Sequence, residues 1–292
     1  MKKILFLGTS YLVAIKEGWD EKYANSLNYQ ATFVGLNGPS FVANLKHLWE
    51  VVDGKLVFPE TLECFISTQV SDISDCGIHY AKKSTIGASK TFLQSFKASS
   101  VSVDIQRFDC IVFVDMFFRY NQVFKVTQDG YVLRNSVPVS TSLLKNMHLQ
   151  GFNGYMELSD HPRFGDVEFQ NSRTVIQLIT KSTAKPCYLI AAPRPPASNI
   201  DLTSRYGSIK EAQNCFDFIE NFYGKSLSLP GISFICQPKS VLDENHCLTR
   251  NSFSRGGHSS GKQGLLDGHM NKNYGLHVIK DLVKKINKNE QT

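Results

Sequence analysis

The sequence has no apolar run approaching the roughly 20 residues of a membrane-spanning helix, so we expect no integral membrane segment. It has no low-complexity tract and no internal repeat, which excludes a repeat architecture. The net charge is +6 and the pI is near 8.8, but the basic residues are scattered and form no stripe interleaved with aromatics. We therefore expect no nucleic-acid partner. Hydrophobic residues make up 42% of the 292 positions, the balance of a soluble globular protein.

The seven cysteines form no Cys-x-x-Cys pair, and their number is odd. Zinc sites need clustered ligands, and no cysteine or histidine pair has that spacing, so we expect no metal. Free thiols fit a reducing compartment, which favours a cytoplasmic protein. Cys110, Cys187 and Cys236 lie inside or beside apolar runs, where a thiol behaves as a small buried hydrophobe.

Glycine-rich signatures of nucleotide binding are also missing. The segment RNSFSRGGHSSGK brings glycines and a lysine together but lacks the residue order of a phosphate-binding loop. The segment from Gly35 to Gly38 is not a dinucleotide-binding fingerprint. We therefore expect no cofactor.

The chain opens with MKKILFLGTSYLVAIKEGW, which at first resembles a secretion signal. Charged residues enter at Lys16, and no small-residue cleavage site follows the apolar stretch. Apolar residues from Leu12 to Tyr23 instead recur at helical spacing. The pattern predicts a buried strand over Lys3–Leu7, a tight turn at Gly8-Thr9-Ser10 in which glycine supplies unusual backbone angles, and then a helix.

Short β-rich runs alternate with longer mixed segments along the rest of the chain. Strands are predicted at 3–7, 31–36, 110–118, 187–192 and 232–236. Helices are predicted at 11–27, 41–51, 89–98, 140–149, 209–223 and from 273 onward. Because the strand runs are apolar on both faces, they predict an α/β protein, a three-layer α/β/α sandwich with a mostly parallel sheet.

Two segments depart from this alternation. The segment 51–86 has the composition of a hairpin-like insertion, and 122–135 has an Asp-Gly turn between alternating apolar positions, which predicts a β-hairpin. Both are candidates for a lid or rim, and neither has the length for a core of its own. The sequence therefore predicts one domain over 1–292 with insertions near 51–86 and 119–135.

Candidate catalytic residues lie near the two ends of the chain. Ser10 follows the first predicted strand at the sheet edge where active sites of α/β proteins lie. At a helix start it is either a nucleophile whose own amide helps to bind an oxyanion, or an ordinary N-cap. Asp267 and His269 precede the last predicted helix. If the fold joins the two ends, His269 can act as a base and Asp267 can orient it.

The sequence resembles the SGNH/GDSL hydrolase superfamily. The motif ILFLGTS resembles its first block, VGLNGPSF its second and LLDGHMNKNYG its last. The string HMNKNYG, with PCYLIAAPRPPAS and ICQPKSVLDENHCLTRNSFSRGG, resembles a bacterial branch associated with surface-polysaccharide genes. The resemblance touches both termini and implies a flavodoxin-like sheet.

Carried over position by position, the resemblance implies roles for five residues. Ser10 is the nucleophile, His269 the general base and Asp267 the group that orients the histidine. The amide of Ser10 and that of Gly38, with Gly35 as the alternative, form the oxyanion hole, and the side chain of Asn37 contributes to it.

Three positions depart from the family pattern. Thr9 stands where the first block usually has an acid or amide, and the last block reads Asp-x-His in place of Asp-x-x-His. After the middle strand, Asp115 stands near the expected glycine, no asparagine matches the third block, and Asn121 is too distant. Losing one oxyanion donor costs about 10²–10³ in rate, so weak activity is one expected consequence.

The resemblance implies a serine esterase that removes a small acyl group, acetyl above all, from a carbohydrate ester. Its partner would be a small-molecule or glycan acyl ester. Two alternatives remain open: a carbohydrate O-acyltransferase of the same fold, and a glycan-binding or scaffold protein without turnover.

Other polar residues are also candidates for substrate contact. Arg194 follows a predicted strand at the carboxyl edge, where it either steers an acidic substrate or is a solvated loop residue. His246 and His258 flank a loop rich in Gly and Ser and are candidates for substrate contact, and His277 is expected on the surface.

Overall fold

The computed structural model describes residues 1–36, 49–69, 73–84, 96–116, 123–126, 132–134, 154–157, 167–225, 231–256 and 269–289. The strands of the central sheet are β1 Lys2–Gly8, β2 Tyr29–Leu36, β3 Glu50–Val52, β4 Lys55–Val57, β5 Cys64–Thr68, β6 Ile78–Ser84, β7 Phe96–Asp104, β8 Cys110–Val114, β12 Cys187–Ile190 and β13 Ile232–Ile235. A smaller sheet holds β9 Val123–Val126, β10 Val132–Arg134 and β11 Gly154–Glu157. The helices are α1 Leu12–Tyr23, α2 Val167–Lys181, α3 Leu202–Tyr206, α4 Ile209–Lys225 and α5 Lys272–Lys288.

The centre of the large sheet is parallel and forms from the five predicted strand segments. Its order is β13-β12-β8-β1-β2, with every neighbouring pair parallel. Numbered along the chain, these five strands have the order 2-1-3-4-5. The second strand, β2, therefore lies on one side of β1, and the third, β8, lies on the other side. Ligands of open α/β sheets bind outside the carboxyl ends of the strands at such a reversal.

The described part of the segment 51–86, predicted as a hairpin-like insertion, extends the central sheet. Beyond β2 the order continues β5-β7-β4-β3, with β6 paired to β7, and all these pairs are antiparallel. Asp53 and Gly54, both with positive φ, make the turn between β3 and β4. The hairpin is present and its residues complete one edge of the sheet, while a role of the segment as a lid or rim stays a prediction.

Alternating side chains of the parallel strands build a core on each face of the sheet, as the two-residue period of a strand requires. Ile4 and Phe6 of β1 face α1 and α5, which contribute Leu12, Ile15, Trp19, Val278, Ile279 and Leu282. Leu5 and Leu7 face the opposite side, where α2 and α4 contribute Val175, Ile176, Ile179, Ala212, Cys215 and Phe216. Helices therefore cover both faces of the central parallel strands.

Glycines allow α1 and α5 to pack with their backbones in contact. A Cβ added to Gly275 would lie 1.7 Å from the carbonyl oxygen of Ala14, and one added to Gly18 would lie 2.2 Å from the amide nitrogen of Leu276. The two helices can approach this closely only because both positions lack a side chain. This packing brings the start of α5 beside the start of α1.

The predicted hairpin over 122–135 is confirmed. The strand β9 pairs antiparallel with β10, and β11 adds a third strand on its other side. The sequence did not predict β11 or the helix α2.

Predicted helices agree less well with the structure than predicted strands do. The helix at 11–27 is observed as α1, and that at 209–223 as α4. The prediction at 89–98 is wrong at its end, because Phe96 to Ala98 belong to β7. The prediction at 41–51 is wrong at Glu50 and Val51, which belong to β3. The remainder of both segments and all of 140–149 lie outside the described residues.

None of the helices in the part of the chain that the structure describes combines the length and the apolar character needed to cross a membrane.

Candidate active site

Ser10 lies in a tight turn at the carboxyl end of the central strand β1. The turn closes with a hydrogen bond from the Leu12 amide to the Thr9 carbonyl oxygen, 2.9 Å long. Gly8 is required for close approach, because an added Cβ would lie 2.4 Å from the Val114 carbonyl oxygen of β8. The prediction that Gly8 supplies unusual backbone angles is wrong, since its φ is not positive.

The N-cap alternative for Ser10 is also wrong. The residue that precedes α1 is Tyr11, and it makes no side-chain capping hydrogen bond. Ser10 lies one position earlier and is exposed. Its hydroxyl is therefore not engaged in starting the helix.

The hydroxyl of Ser10 faces the imidazole of His269. Ser10 Oγ and His269 Nε2 lie 3.1 Å apart, although 259 positions separate them in the sequence. The ring of Tyr11 packs against the His269 ring at 5.3 Å between centroids. When the imidazole proton is on Nδ1, Nε2 accepts a hydrogen bond from the serine hydroxyl and can take its proton during attack.

Backbone and side-chain contacts hold the segment that carries His269. Its carbonyl oxygen accepts a 3.0 Å hydrogen bond from the Arg255 amide, and the next residue, Met270, pairs with Ser254 in an isolated bridge. Asn271 then caps α5 by accepting hydrogen bonds from the Asn273 and Tyr274 amides. The histidine thus lies between a β-bridge and a capped helix.

The backbone around Ser10 suits a developing negative charge. The amide of Ser10 donates no hydrogen bond to any of the residues that the structure describes. It precedes the N-terminus of α1, where the helix dipole favours an anion. An oxyanion formed next to Ser10 Oγ would find one unused donor in this amide.

Thr9 and Asp115 contact each other beside Ser10. The Thr9 hydroxyl donates a short hydrogen bond to Asp115 Oδ2, and the exposed fractions of the two residues are 4% and 0%. Asp115 has φ 64° and Met116 φ 46°, so the chain turns through the left-handed region at the end of β8. The Asp115 amide donates to the Ile190 carbonyl oxygen of β12 at 2.8 Å. The pair therefore joins the ends of β1, β8 and β12 directly beside Ser10.

A cleft of about 210 Å³ opens at the Ser10–His269 pair. Its lining is formed by Ser10, Tyr11, Val13, Ala14, Arg255, His269 and Met270. The walls are mostly apolar, and Arg255 adds one guanidinium. Sequence reasoning did not select Arg255; its only signal was a position in the RNSFSRGG segment close in sequence to His269.

Several predicted site residues are not in the part of the chain that the structure describes. These residues are Asp267, Gly38, Asn37 and His258, and Asn121 also lies outside the described residues. Gly35, the alternative to Gly38, is buried in β2, where it pairs with Gly8 of β1.

The prediction that Arg194 steers substrate or is solvated is wrong. The side chain is buried, and its guanidinium pairs with Glu220 of α4 and lies 4.6 Å above the Phe216 ring. It also donates to the His246 carbonyl oxygen. Arg194 therefore fastens the loop around His246 to α4. The side chain of His246 is exposed.

The cysteines and His277 also depart from expectation in part. All seven cysteines are free; six are buried, but Cys236 is exposed, so the prediction that it is buried is wrong. Burial raises the pKa of Cys64 and of Cys187 to about 12, which removes them as thiolate nucleophiles. His277 is half-buried, with Nδ1 2.8 Å from Ser240 Oγ. No group of three metal-binding side chains occurs among the described residues.

Comparison of the chain with protein-family models, with curated proteins and with solved structures found no match.

Proposed function

We propose that this protein is a serine ester hydrolase of the SGNH type, a three-layer α/β/α sandwich with a flavodoxin-like sheet. The observation that carries the proposal is the 3.1 Å separation of Ser10 Oγ and His269 Nε2 at the carboxyl edge of the sheet. The strand order 2-1-3-4-5 of the parallel strands and the helices on both faces support the fold assignment.

The proposed reaction has two half-reactions. Ser10 Oγ attacks the ester carbonyl carbon while His269 Nε2 takes the hydroxyl proton, and the oxyanion accepts a hydrogen bond from the Ser10 amide. Collapse of the tetrahedral intermediate breaks the bond to the alcohol, which leaves with the proton from His269. Water then attacks the acyl-serine, with His269 again as base, and the carboxylic acid is released.

The proposed substrate is a carbohydrate ester of a small acyl group, acetyl above all. A cleft of about 210 Å³ with the walls Val13, Ala14 and Met270 has room for a short acyl chain and part of a sugar ring. Asp267 would orient His269, and Gly38 and Asn37 would complete the oxyanion hole. A cytoplasmic location is proposed with this function and agrees with seven free thiols.

Hydrolysis of 4-nitrophenyl acetate tests the proposal. We expect Ser10→Ala to lower kcat/KM by at least about 10³-fold, as loss of a nucleophile does in serine hydrolases. Ser204→Ala, which removes an exposed hydroxyl from α3, is the matched control and should leave the rate unchanged. Equal rates for wild type and Ser10→Ala would refute the proposal and favour a binding or scaffold role.

A further inference from the structure

The cleft beside Ser10 contains one permanently charged side chain among its described lining residues, that of Arg255. It lies on the segment that also donates a backbone hydrogen bond to His269. The guanidinium and the serine–histidine pair therefore share one cavity.

Two contacts fix the Arg255 side chain. Its Nε donates to the Met270 carbonyl oxygen at 3.0 Å, and one terminal nitrogen, Nη2, lies 2.9 Å from Glu17 Oε1 of α1. The other terminal nitrogen, Nη1, has no hydrogen-bond partner among the described residues, and the side chain is 30% exposed. A planar fork that is already held in place loses little entropy when it binds an additional acceptor.

A guanidinium with unused donors in a mostly apolar cleft is suited to bind a carboxylate. Hydrogen bonds between ionised partners are about twice as strong as neutral ones. Glu17 partly offsets the charge of Arg255, so the site should attract one anion moderately rather than tightly. The wall of Val13, Ala14 and Met270 lowers the local dielectric and strengthens this attraction.

We propose that Arg255 determines specificity by binding an anionic group of the substrate, so that the preferred substrates are acyl esters of acidic sugars whose carboxylate lies within one ring of the ester. The inference rests on the proposed hydrolase function and deepens it by naming the substrate class. The sequence suggested Arg194 as the residue that steers an acidic substrate, but Arg194 is buried. In this proposal Arg255 has that role.

The competing interpretation is that the Arg255–Glu17 pair only fastens the 253–255 segment to α1. A matched pair lies one helical turn away, where Lys272 Nζ lies 3.0 Å from Glu21 Oε2. It also joins α1 to the C-terminal part of the chain, but its residues do not line the cleft. Lys272→Gln therefore controls for loss of an ion pair without loss of the cleft charge.

The test compares 4-acetoxybenzoate, which carries a carboxylate, with its neutral methyl ester on the full-length protein. We expect Arg255→Gln to lower kcat/KM for the charged ester about tenfold, mainly through KM, and to change that for the methyl ester less than about twofold. Arg255→Lys should retain part of the preference. Glu17→Gln removes the competing charge but keeps the Oε1 acceptor that holds Nη2 in place, so it should raise kcat/KM for the charged ester several-fold. Lys272→Gln should change neither rate.

Glu17→Gln keeps the test decisive if the Arg255 variants fold poorly, because it predicts a gain. An unchanged ratio of charged to neutral ester hydrolysis in Glu17→Gln and in the folded Arg255 variants would overturn the inference while leaving the hydrolase proposal intact. Equal losses on both esters would assign Arg255 a structural role. If wild type hydrolyses neither ester faster than Ser10→Ala does, the proposed function fails, and this inference fails with it.

Discussion

At the scale of single residues, the site depends on the buried contact between Thr9 and Asp115. Thr9 immediately precedes Ser10, and Asp115, which follows β8, has a left-handed backbone conformation. A buried carboxyl group without a hydrogen-bond partner is costly, so the threonine hydroxyl stabilises both Asp115 and the turn that presents Ser10.

Thr9→Val tests this contact because it keeps the side-chain shape and removes the hydroxyl donor. We expect the free energy of unfolding to fall by about 1–3 kcal/mol, the cost of withdrawing a hydrogen bond from a buried polar group. Thr9→Ser retains the donor and should cost less. Urea denaturation of the three proteins measures the difference, and a Thr9→Val variant as stable as wild type would show that the contact contributes nothing.

Ser10 and His269, both selected from the sequence, lie 3.1 Å apart between Oγ and Nε2 in the structure, and their catalytic roles stay predictions. Ser10 and His269 were selected because a turn after a strand and a loop before a helix are typical places for a nucleophile and a base. The environment of Arg194 was predicted wrongly. The sequence shows that this arginine follows a strand, but it does not show that its guanidinium contacts Glu220 and Phe216. The contact between Thr9 and Asp115 joins the ends of two strands that are far apart in the sequence, so no local sequence pattern predicts it.

At the scale of elements, the packing of α1 against α5 places His269 beside Ser10. Gly18 and Gly275 let the two backbones touch, and Asn271 caps α5 directly after His269. The positions of the two helix starts are thus fixed relative to each other, and the Ser10–His269 distance follows from that packing.

Gly275→Ala should separate the two helices. The added methyl would lie 1.7 Å from the Ala14 carbonyl oxygen, so the backbones must move apart. We expect a loss of about 3 kcal/mol or more in unfolding free energy, at or above the upper end of overpacking costs, despite the better helix propensity of alanine. Hydrolysis should fall as well because His269 moves away from Ser10. Asn273→Ala, at an exposed position in the same helix, is the control, and equal thermal stability of the two variants would contradict this account.

Elements were predictable where periodicity was strong. The five parallel strands are short apolar runs between polar segments, and each was found close to its predicted position. The sequence did not predict that the 51–86 segment joins the central sheet, because its pairing partner, β7, lies up to about 50 positions away in sequence and was itself partly assigned to a helix. Long-range pairing decided the structure there, and local propensity did not.

At the scale of the whole molecule, the first and last helices pack together beside the Ser10–His269 pair, and we expect the stability of this packing to depend on pH. Desolvation lowers the pKa of His277 of α5 from its usual value, Lys280 lowers it further and Asp281 opposes the shift. The ring packs edge-on against Phe253 at 5.5 Å, in the turn that holds Asn271.

Because its folded-state pKa is lowered, His277 binds a proton in the unfolded chain before it does so in the folded protein. Stability should therefore be fully present above the unfolded pKa of about 6.5 and should fall as the pH drops through it toward the folded pKa. Urea denaturation between pH 7.5 and pH 5 measures this slope. His277→Asn should reduce it, whereas His79→Asn, at an exposed histidine of β6, is the comparison. An identical slope in wild type and His277→Asn would contradict the assignment.

The proposed function depends on activation of Ser10, near one end of the chain, by His269, near the other. Labelling with a fluorophosphonate probe, followed by peptide mass spectrometry, tests this most directly. We predict one adduct per chain, located on Ser10, no adduct in Ser10→Ala, and labelling slowed at least about 100-fold in His269→Gln, the usual contribution of a general base. An adduct on another residue, or equal labelling of wild type and His269→Gln, would contradict it.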